Sequence, residues 1–387
     1  MTIPFNQLDQ QLADIKARDL YRSRRVIDSP QGIELKINNK AVINFCSNDY
    51  LGLANHPQVI KAFKTAVDTY GVGSGSAHLI CGHNTEHHAL EEELAEFTGR
   101  ERALLFSTGY MANMGVICAL IGRGDTVFED RLNHASLLDG GLLSNAQFKR
   151  YTHADINHLE NLLIKSTNNK LIVSDGVFSM DGDVAPLIAL STLAKQQNAW
   201  LMIDDAHGLG VLGKTGGGLL EQYSLTQNDV PILMGTLGKA FGTFGAFISG
   251  SESLIETLIQ KARTYIYTTA LPPAIAAATR ASLKLVQTEN WRRDKLKHLI
   301  NHFRQGAKQC GLMLMPSHSA IQPMMIGSSA EAMALSNALL DKGFLVSAIR
   351  PPTVPQGSAR LRVTLSACHE TAHIDALLSA LNELRRT

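Results

Sequence analysis

The sequence predicts an α/β fold, with a large domain around a mostly parallel sheet and a smaller α+β domain built from both chain ends. From about residue 57 to 250, helical patterns alternate with short apolar runs, the pattern of helices layered on a parallel sheet. Several of these runs stop at glycines or polar residues, as strands do where they deliver side chains to a site. Before and after this region the pattern changes, to a hairpin near the start and to mixed strands and helices at the end.

Taken in order, residues 5 to 25 form an amphipathic helix ending in Arg22-Ser23-Arg24-Arg25. Gly32–Ile37 and Ala41–Phe45 flank Asn38-Asn39 and predict a β-hairpin. Strands are expected at Ala103–Phe106, Thr126–Phe128, Leu171–Ser174, Leu201–Asp204, Ile232–Gly235 and Ala246–Ile248. Pro272-Pro273 opens a helical region running to about 310. Strands near 321–326, 344–349 and 360–366 and a helix near 370–385 close the chain. The expected division is an N-terminal segment 1–50, a large domain 51–290 and a C-terminal α+β domain 291–387.

Composition narrows the class. With 387 residues, 45% of them apolar, the chain can bury a large core. Thirty-six basic and 35 acidic residues leave a net charge of +1, which gives nucleic acid or an anionic membrane no field to recognise. Met1–Gln7 lacks the basic and apolar regions of an export signal, and no apolar run reaches the roughly 18 residues of a spanning helix. The five cysteines are scattered and odd in number, as in a reduced, cytoplasmic protein.

The chemistry concentrates in two segments, Met202-Ile203-Asp204-Asp205-Ala206-His207-Gly208 and Gly235-Thr236-Leu237-Gly238-Lys239-Ala240-Phe241-Gly242. A strand delivering Asp and His, then a strand ending in Lys among glycines, suits pyridoxal phosphate. The aldehyde needs a lysine for its Schiff base, the pyridine nitrogen a carboxylate, and the phosphate small residues with backbone donors. Lys239 is the candidate anchor. Asp204 would hold the ring nitrogen protonated, against the bland reading of a strand-end cap, and His207 would reach the phenolic oxygen. Asp205 should point to the opposite side. Gly109-Tyr110, at a strand exit and helix entry, can cradle an anion, or can be plain strand–helix packing; Thr236 can add a hydroxyl. His134 and Ser179 are polar residues in strand-exit loops. Arg360 and Arg362 share one face of a strand, either as a bidentate carboxylate clamp or as a solvated face.

Two other patterns suggest different chemistry. Gly208–Thr215 matches the P-loop expression, but Gly216-Gly217-Gly218 is a poor helix start where a P-loop needs one. Cys81, His83, Glu86, His87 and His88 match no zinc spacing, so no metal is expected and a loop entering a solvated helix start is the preferred reading.

These segments, in this order, resemble the α-oxoamine synthases, fold-type I pyridoxal-phosphate transferases. The resemblance runs from Asn48-Asp49-Tyr50-Leu51-Gly52-Leu53 through Gly71-Val72-Gly73-Ser74-Gly75-Ser76 to Ser366-Ala367-Cys368-His369-Glu370. Ala77-His78 departs from it, since many members carry Ser-Arg there, and no role is transferred to that pair. The resemblance implies pyridoxal 5'-phosphate and a homodimer with active sites at the subunit interface. It makes Lys239 the Schiff-base residue and then the general base, with Asp204 and His207 holding the ring and His134 stacked on it. Ser179, Thr236, Gly109 and Tyr110 would contact the cofactor, and Thr268 and Thr269 would reach its phosphate from the partner subunit. Arg362 would bind an amino-acid carboxylate, Thr353 would line the substrate site, and Arg22 would meet the acyl substrate, with Arg18, Arg24 and Arg25 competing. Within the family, Ile349–Pro355 resembles the branch of biotin synthesis. That branch joins L-alanine to a pimeloyl thioester, carried by coenzyme A or a carrier protein, with loss of CO₂. Another branch such as glycine C-acetyltransferase is the alternative, followed by an aminotransferase.

Overall fold

The computed structural model of the protein describes residues 7–386, so residues 5 and 6 of the expected first helix lie outside it. The chain divides into two compact units: Asp49–Ser179 with Asp183–Asp294, and the described residues up to Asn48 with Met180–Gly182 and those from Lys295 onward.

In the second of these, β1 (Glu34–Ile37) and β2 (Lys40–Asn44) pair antiparallel, with Ile37 opposite Lys40. Asn38 and Asn39 both take positive φ (50° and 62°), the backbone a tight two-residue hairpin turn demands. The first helix, Leu8–Ala17, is shorter than the sequence pattern suggests. Asp19 turns left-handed at φ 55° and its N–H bonds back to Lys16, ending the helix before the arginine cluster. Arg22, Arg24 and Arg25 therefore lie on an exposed, non-helical segment.

The larger unit is built on β3 (Arg102–Phe106), β4 (Thr126–Asp130), β5 (Gln147–Tyr151), β6 (Lys170–Asp175), β7 (Trp200–Asp204), β8 (Ile232–Thr236) and β9 (Ala246–Gly250). They form one sheet in the order β3-β9-β8-β7-β6-β4-β5, parallel except for β9. The six expected strands are present. The seventh, β5, reads Gln-Phe-Lys-Arg-Tyr and has the polar character of an edge strand. The interior strands are buried on both faces, and each has a continuous apolar centre: Val127-Phe128 in β4, Leu171-Ile172-Val173 in β6 and Leu201-Met202-Ile203 in β7. Helices Gly109–Leu120, Ala135–Leu143 and Leu187–Gln196 follow β3, β4 and β6. Leu104, Val116, Ile117, Val127, Val173, Met202, Met234 and Ile248 share one fully buried cluster. Burial of each such side chain contributes about 1.5–3 kcal/mol.

The helical region from 272 is two helices, Pro273–Thr288 and Trp291–Gln309. Arg293 makes the break by donating to the Val286 carbonyl (2.7 Å), and Arg292 donates to the Glu289 carboxylate (2.7 Å). These bonds satisfy a helix end that would otherwise be orphaned.

The smaller unit continues with β10 (Ile321–Gly327), β11 (Phe344–Leu345), β12 (Ser347–Ile349) and β13 (Ala359–Thr364). β13 is the middle strand of an antiparallel β10-β13-β12 sheet, and β11 extends the hairpin alongside β2. The helix Thr371–Arg386 closes the chain. Among the described residues no helix is long and apolar enough to cross a membrane.

Candidate active site

The sheet register aligns the chemistry. Asp175 at the end of β6 stands opposite Asp204 at the end of β7, and Asp204 opposite Met234 of β8. The C-terminal ends of β6 and β7 thus finish level, with β8 running two residues further to Thr236, the usual place for ligand-binding groups in an open α/β sheet.

Lys239 rides on a tight loop after β8, fixed by Leu237 N–H to the Gly245 carbonyl (2.9 Å) and Gly242 N–H to the Lys239 carbonyl (2.9 Å). Gly242 has φ +64°, and a Cβ there would lie 2.3 Å from the Ala54 nitrogen, so only glycine fits. This loop brings Lys239 Nζ within 2.8 Å of His207 Nε2. On its other side, His207 Nδ1 lies 2.6 Å from the Tyr50 hydroxyl.

Asp204 is buried. Its Oδ1 accepts the Ala206 N–H (3.0 Å) and its Oδ2 the Asn113 side-chain amide (2.8 Å). The same amide donates to Ser136 Oγ (2.9 Å), which lies 2.8 Å from His134 Nδ1. One hydrogen-bonded chain therefore joins the strand-end carboxylate to the histidine. His134 also caps the helix Ala135–Leu143, and its N–H donates to Asp175 Oδ2 (2.6 Å). Desolvation lowers its pKa, Asp204 opposes this and Lys239 reinforces it. Burial, then repulsion from Asp204, pushes the Asp175 carboxyl well above the usual range. As strand alternation predicts, Asp205 turns away, its Oδ2 accepting the Leu219 N–H (2.7 Å).

Gly109 opens the helix Gly109–Leu120, where the Thr108 hydroxyl accepts the Met111 N–H (3.2 Å). A Cβ on Gly109 would stand 2.5 Å from Met234 Cε, so glycine lets this helix start close to β8. Tyr110 donates to the Asp139 carboxylate and presents its ring edge-on to His134. The Thr236 hydroxyl donates to the Gly245 carbonyl (3.2 Å), and Ser179 lies half-buried on the loop after β6. Thr269 is exposed and forms a bridge with Ala77, tying its segment to the glycine loop.

In the smaller unit all of β13 is buried, so the solvated-face reading of its arginines does not hold. Arg360 pairs with the Asp181 carboxylate, whereas Arg362 donates to Thr364 Oγ1 (2.9 Å) and Asn48 Oδ1 (3.3 Å), both neutral acceptors. Thr353 and Arg22 are exposed.

The two other sequence patterns resolve physically. Gly208–Thr215 forms successive turns, and the Glu221 carboxylate accepts the Thr215 (2.9 Å) and Gly217 (2.8 Å) N–H groups that a phosphate would need. The histidine-rich stretch corrects the expectation of a solvated helix start: His87 is fully buried and lies with His78 and His83 inside 4.8 Å. Its Nδ1 accepts the Asn84 N–H (2.9 Å) and its Nε2 donates to the Leu271 carbonyl (2.6 Å), so backbone groups engage both ring nitrogens.

Residues 40–381 match the model of the family described as aminotransferase class I and II. The chain is 62% identical over 384 residues to the 8-amino-7-oxononanoate synthase of Saccharophagus degradans, covering 98% of this chain and 97% of that one. The chain belongs to the 8-amino-7-oxononanoate synthase family. A solved member from Francisella tularensis superposes with TM-score 0.78 at 32% identity, covering 89% of this chain and 98% of that one. The serine palmitoyltransferase of S. paucimobilis, solved with a bound PLP–myriocin aldimine, gives TM-score 0.93 at 31% identity, over 99% and 97% of the two chains.

For this member of the 8-amino-7-oxononanoate synthase family, sequence reading missed Tyr50, Asn113, Ser136 and Asp175. Asn113 is a polar residue within an apolar helix, a signal that was there to be used. Ser136 and Asp175 gain their place only through bonds across elements.

Proposed function

We propose that the protein condenses L-alanine with a pimeloyl thioester, releasing the thiol and CO₂ to give 8-amino-7-oxononanoate, with pyridoxal 5'-phosphate as cofactor. The observation that carries this reading is the 2.8 Å contact between Lys239 and His207 beside the level strand ends bearing Asp204 and Asp175. The donor set fits the cofactor: an amine for the aldehyde, a buried carboxylate for the ring nitrogen, an imidazole for the phenolic oxygen and a helix N-terminus for the phosphate. When bound, pyridoxal phosphate supplies the electron sink that stabilises negative charge at the alanine Cα.

The chain's own groups do the rest. Asp204, buried and fixed by Asn113, is the carboxylate that would face the ring nitrogen and hold a proton there. Lys239 Nζ anchors the cofactor, then takes the Cα proton and later returns one to the product. His134, held by Ser136 and Asp175, supplies a flat, uncharged face for stacking. Ser179, Thr236 and the Gly109-Tyr110 turn add polar contacts. Arg362 is assigned to the alanine carboxylate, since Arg360 is already committed to Asp181. Thr353 is assigned to the substrate site, and Arg22 to the far carboxylate of the pimeloyl chain.

The working form is proposed to be a cytoplasmic homodimer, with Thr268 and Thr269 reaching the partner's phosphate site. Exposed Val72, Ile80 and Tyr267 lie on the two segments that the Ala77–Thr269 bridge joins, apolar surface that a second copy would cover. The test is thiol release with alanine, glycine or serine against pimeloyl, acetyl, succinyl or palmitoyl thioesters. Alanine with the pimeloyl donor should win, Lys239→Ala should abolish turnover, and preference for glycine with an acetyl donor would overturn the reading.

A further inference from the structure

We infer that Tyr50 is a positioning residue that sets which nitrogen of His207 carries the ring proton. The inference rests on the roles just given to Lys239 and His207. Tyr50 is 1% exposed, its hydroxyl 2.6 Å from His207 Nδ1, while His207 Nε2 lies 2.8 Å from Lys239 Nζ. A neutral imidazole has one N–H and one lone pair, so the bond made at one nitrogen decides the state of the other. A phenol donating to Nδ1 leaves the proton on Nε2, the nitrogen that faces the Lys239 amine.

The phenol is held in place by the turn that carries it. Asp49 accepts the Leu53 (2.8 Å) and Ala54 (3.1 Å) N–H groups, and Arg292 holds the Leu51 carbonyl (2.9 Å). Leu51 and Leu53 of the same turn are fully buried, and Gly242 of the lysine loop packs directly on Ala54. Tyr50, His207 and Lys239 thus form a row, the imidazole standing between a phenol and an amine that are each carried on a turn held by backbone contacts. With Nε2 as the donor, His207 can hydrogen-bond to the cofactor's phenolic oxygen and to an unprotonated lysine amine. With Nδ1 as the donor, Nε2 could only accept, from the lysine amine, and would have no proton to offer the phenolic oxygen.

The deciding experiment is ¹⁵N NMR of cofactor-free protein labelled at histidine, with the His207 signals assigned by difference from His207→Asn. Wild-type protein should show a protonated Nε2 and an unprotonated Nδ1, and Tyr50→Phe should move His207 to a tautomeric mixture. In the loaded enzyme, Tyr50→Phe should shift the pH midpoint of the cofactor's visible absorbance. It should also lower kcat about tenfold, the worth of one hydrogen bond to a polar reacting group, with little change in the KM for alanine. A proton on Nδ1 in the wild type, or an unchanged tautomer and absorbance midpoint in a folded Tyr50→Phe protein, would overturn the inference. The wild-type spectrum decides even if the variant does not fold. Failure of wild-type protein to take up pyridoxal phosphate would instead sink the proposed function.

Discussion

Asp204 and the two arginines of β13 show how neighbouring like residues separate into different work. Asp204 faces Asn113 and Asp205 faces Leu219, so only the first is available to a ring nitrogen. Asp204→Asn should keep the fold and the cofactor but slow alanine Cα proton exchange by roughly 10- to 1,000-fold, the span of one to three pKa units. Near-normal exchange, read by deuterium incorporation, would assign the role elsewhere. Arg360 and Arg362 should part in the same way. Losing the buried Arg360–Asp181 pair in Arg360→Met should cost about 3 kcal/mol of stability, with the KM for alanine unaltered. Arg362→Lys should raise that KM roughly tenfold or more at near-normal stability, since an ammonium cannot copy the guanidinium fork. Titration with urea beside alanine saturation curves checks both, and the reverse outcome would exchange the two assignments.

At the scale of elements, loops hold the chemistry and glycine sets their shape. Gly242→Ala should lose at least about 1 kcal/mol from its positive φ alone, and more because the new Cβ meets the Ala54 backbone. A melting temperature within a degree of the parent would mean the loop can move aside. Most of these elements were legible in the sequence, because strands buried on both faces carry a continuous apolar centre. β5 was not, since an edge strand carrying Lys149 and Arg150 has no such signature. The break at 289–290 was hidden as well, because arginines binding nearby carbonyls and carboxylates make it rather than a glycine or proline. Lys239, Asp204 and His207 could be read from their local context. The Asn113–Ser136–His134 chain could not, because each bond crosses between elements distant in sequence.

Over the whole molecule, several buried groups hold protons more tightly than they would in the unfolded chain. Burial raises Glu91 to about 8 and Glu129 to about 7. His153 overcomes its desolvation through bonds to Asp130 and Asp183 and reaches about 9. A raised folded pKa gives stability that is present at low pH and lost as pH climbs through that pKa. These three groups should therefore lower the melting temperature from about pH 4.5, where the unfolded carboxyls titrate, to about pH 9, each adding at most about 1.4 kcal/mol per pH unit while it titrates. Glu91→Gln keeps the acceptor for the Leu105 N–H and should flatten the part of this slope below pH 8. His153→Asn should flatten the part between about 6.5 and 9, and an unchanged profile in both variants would refute the account.

The order of strands in space also dictates an order in time. β3 is the first strand of its sheet to be synthesised, yet it pairs only with β9, the last, about 140 residues later in the chain. Until residue 250 has emerged, β3 has no partner and β8 has only β7 beside it. Lys239 is therefore made before the strand that brackets its loop through Gly245 and Ala246, and no early fragment can present an assembled site. A chain ending before Ala246 should leave the β3 amides exchanging freely with solvent, and protection there would mean another strand had taken the place of β9. The growing polypeptide carries an open, apolar sheet edge until residue 250 has been made, so nascent chains of this protein should depend on chaperones until β9 closes that edge.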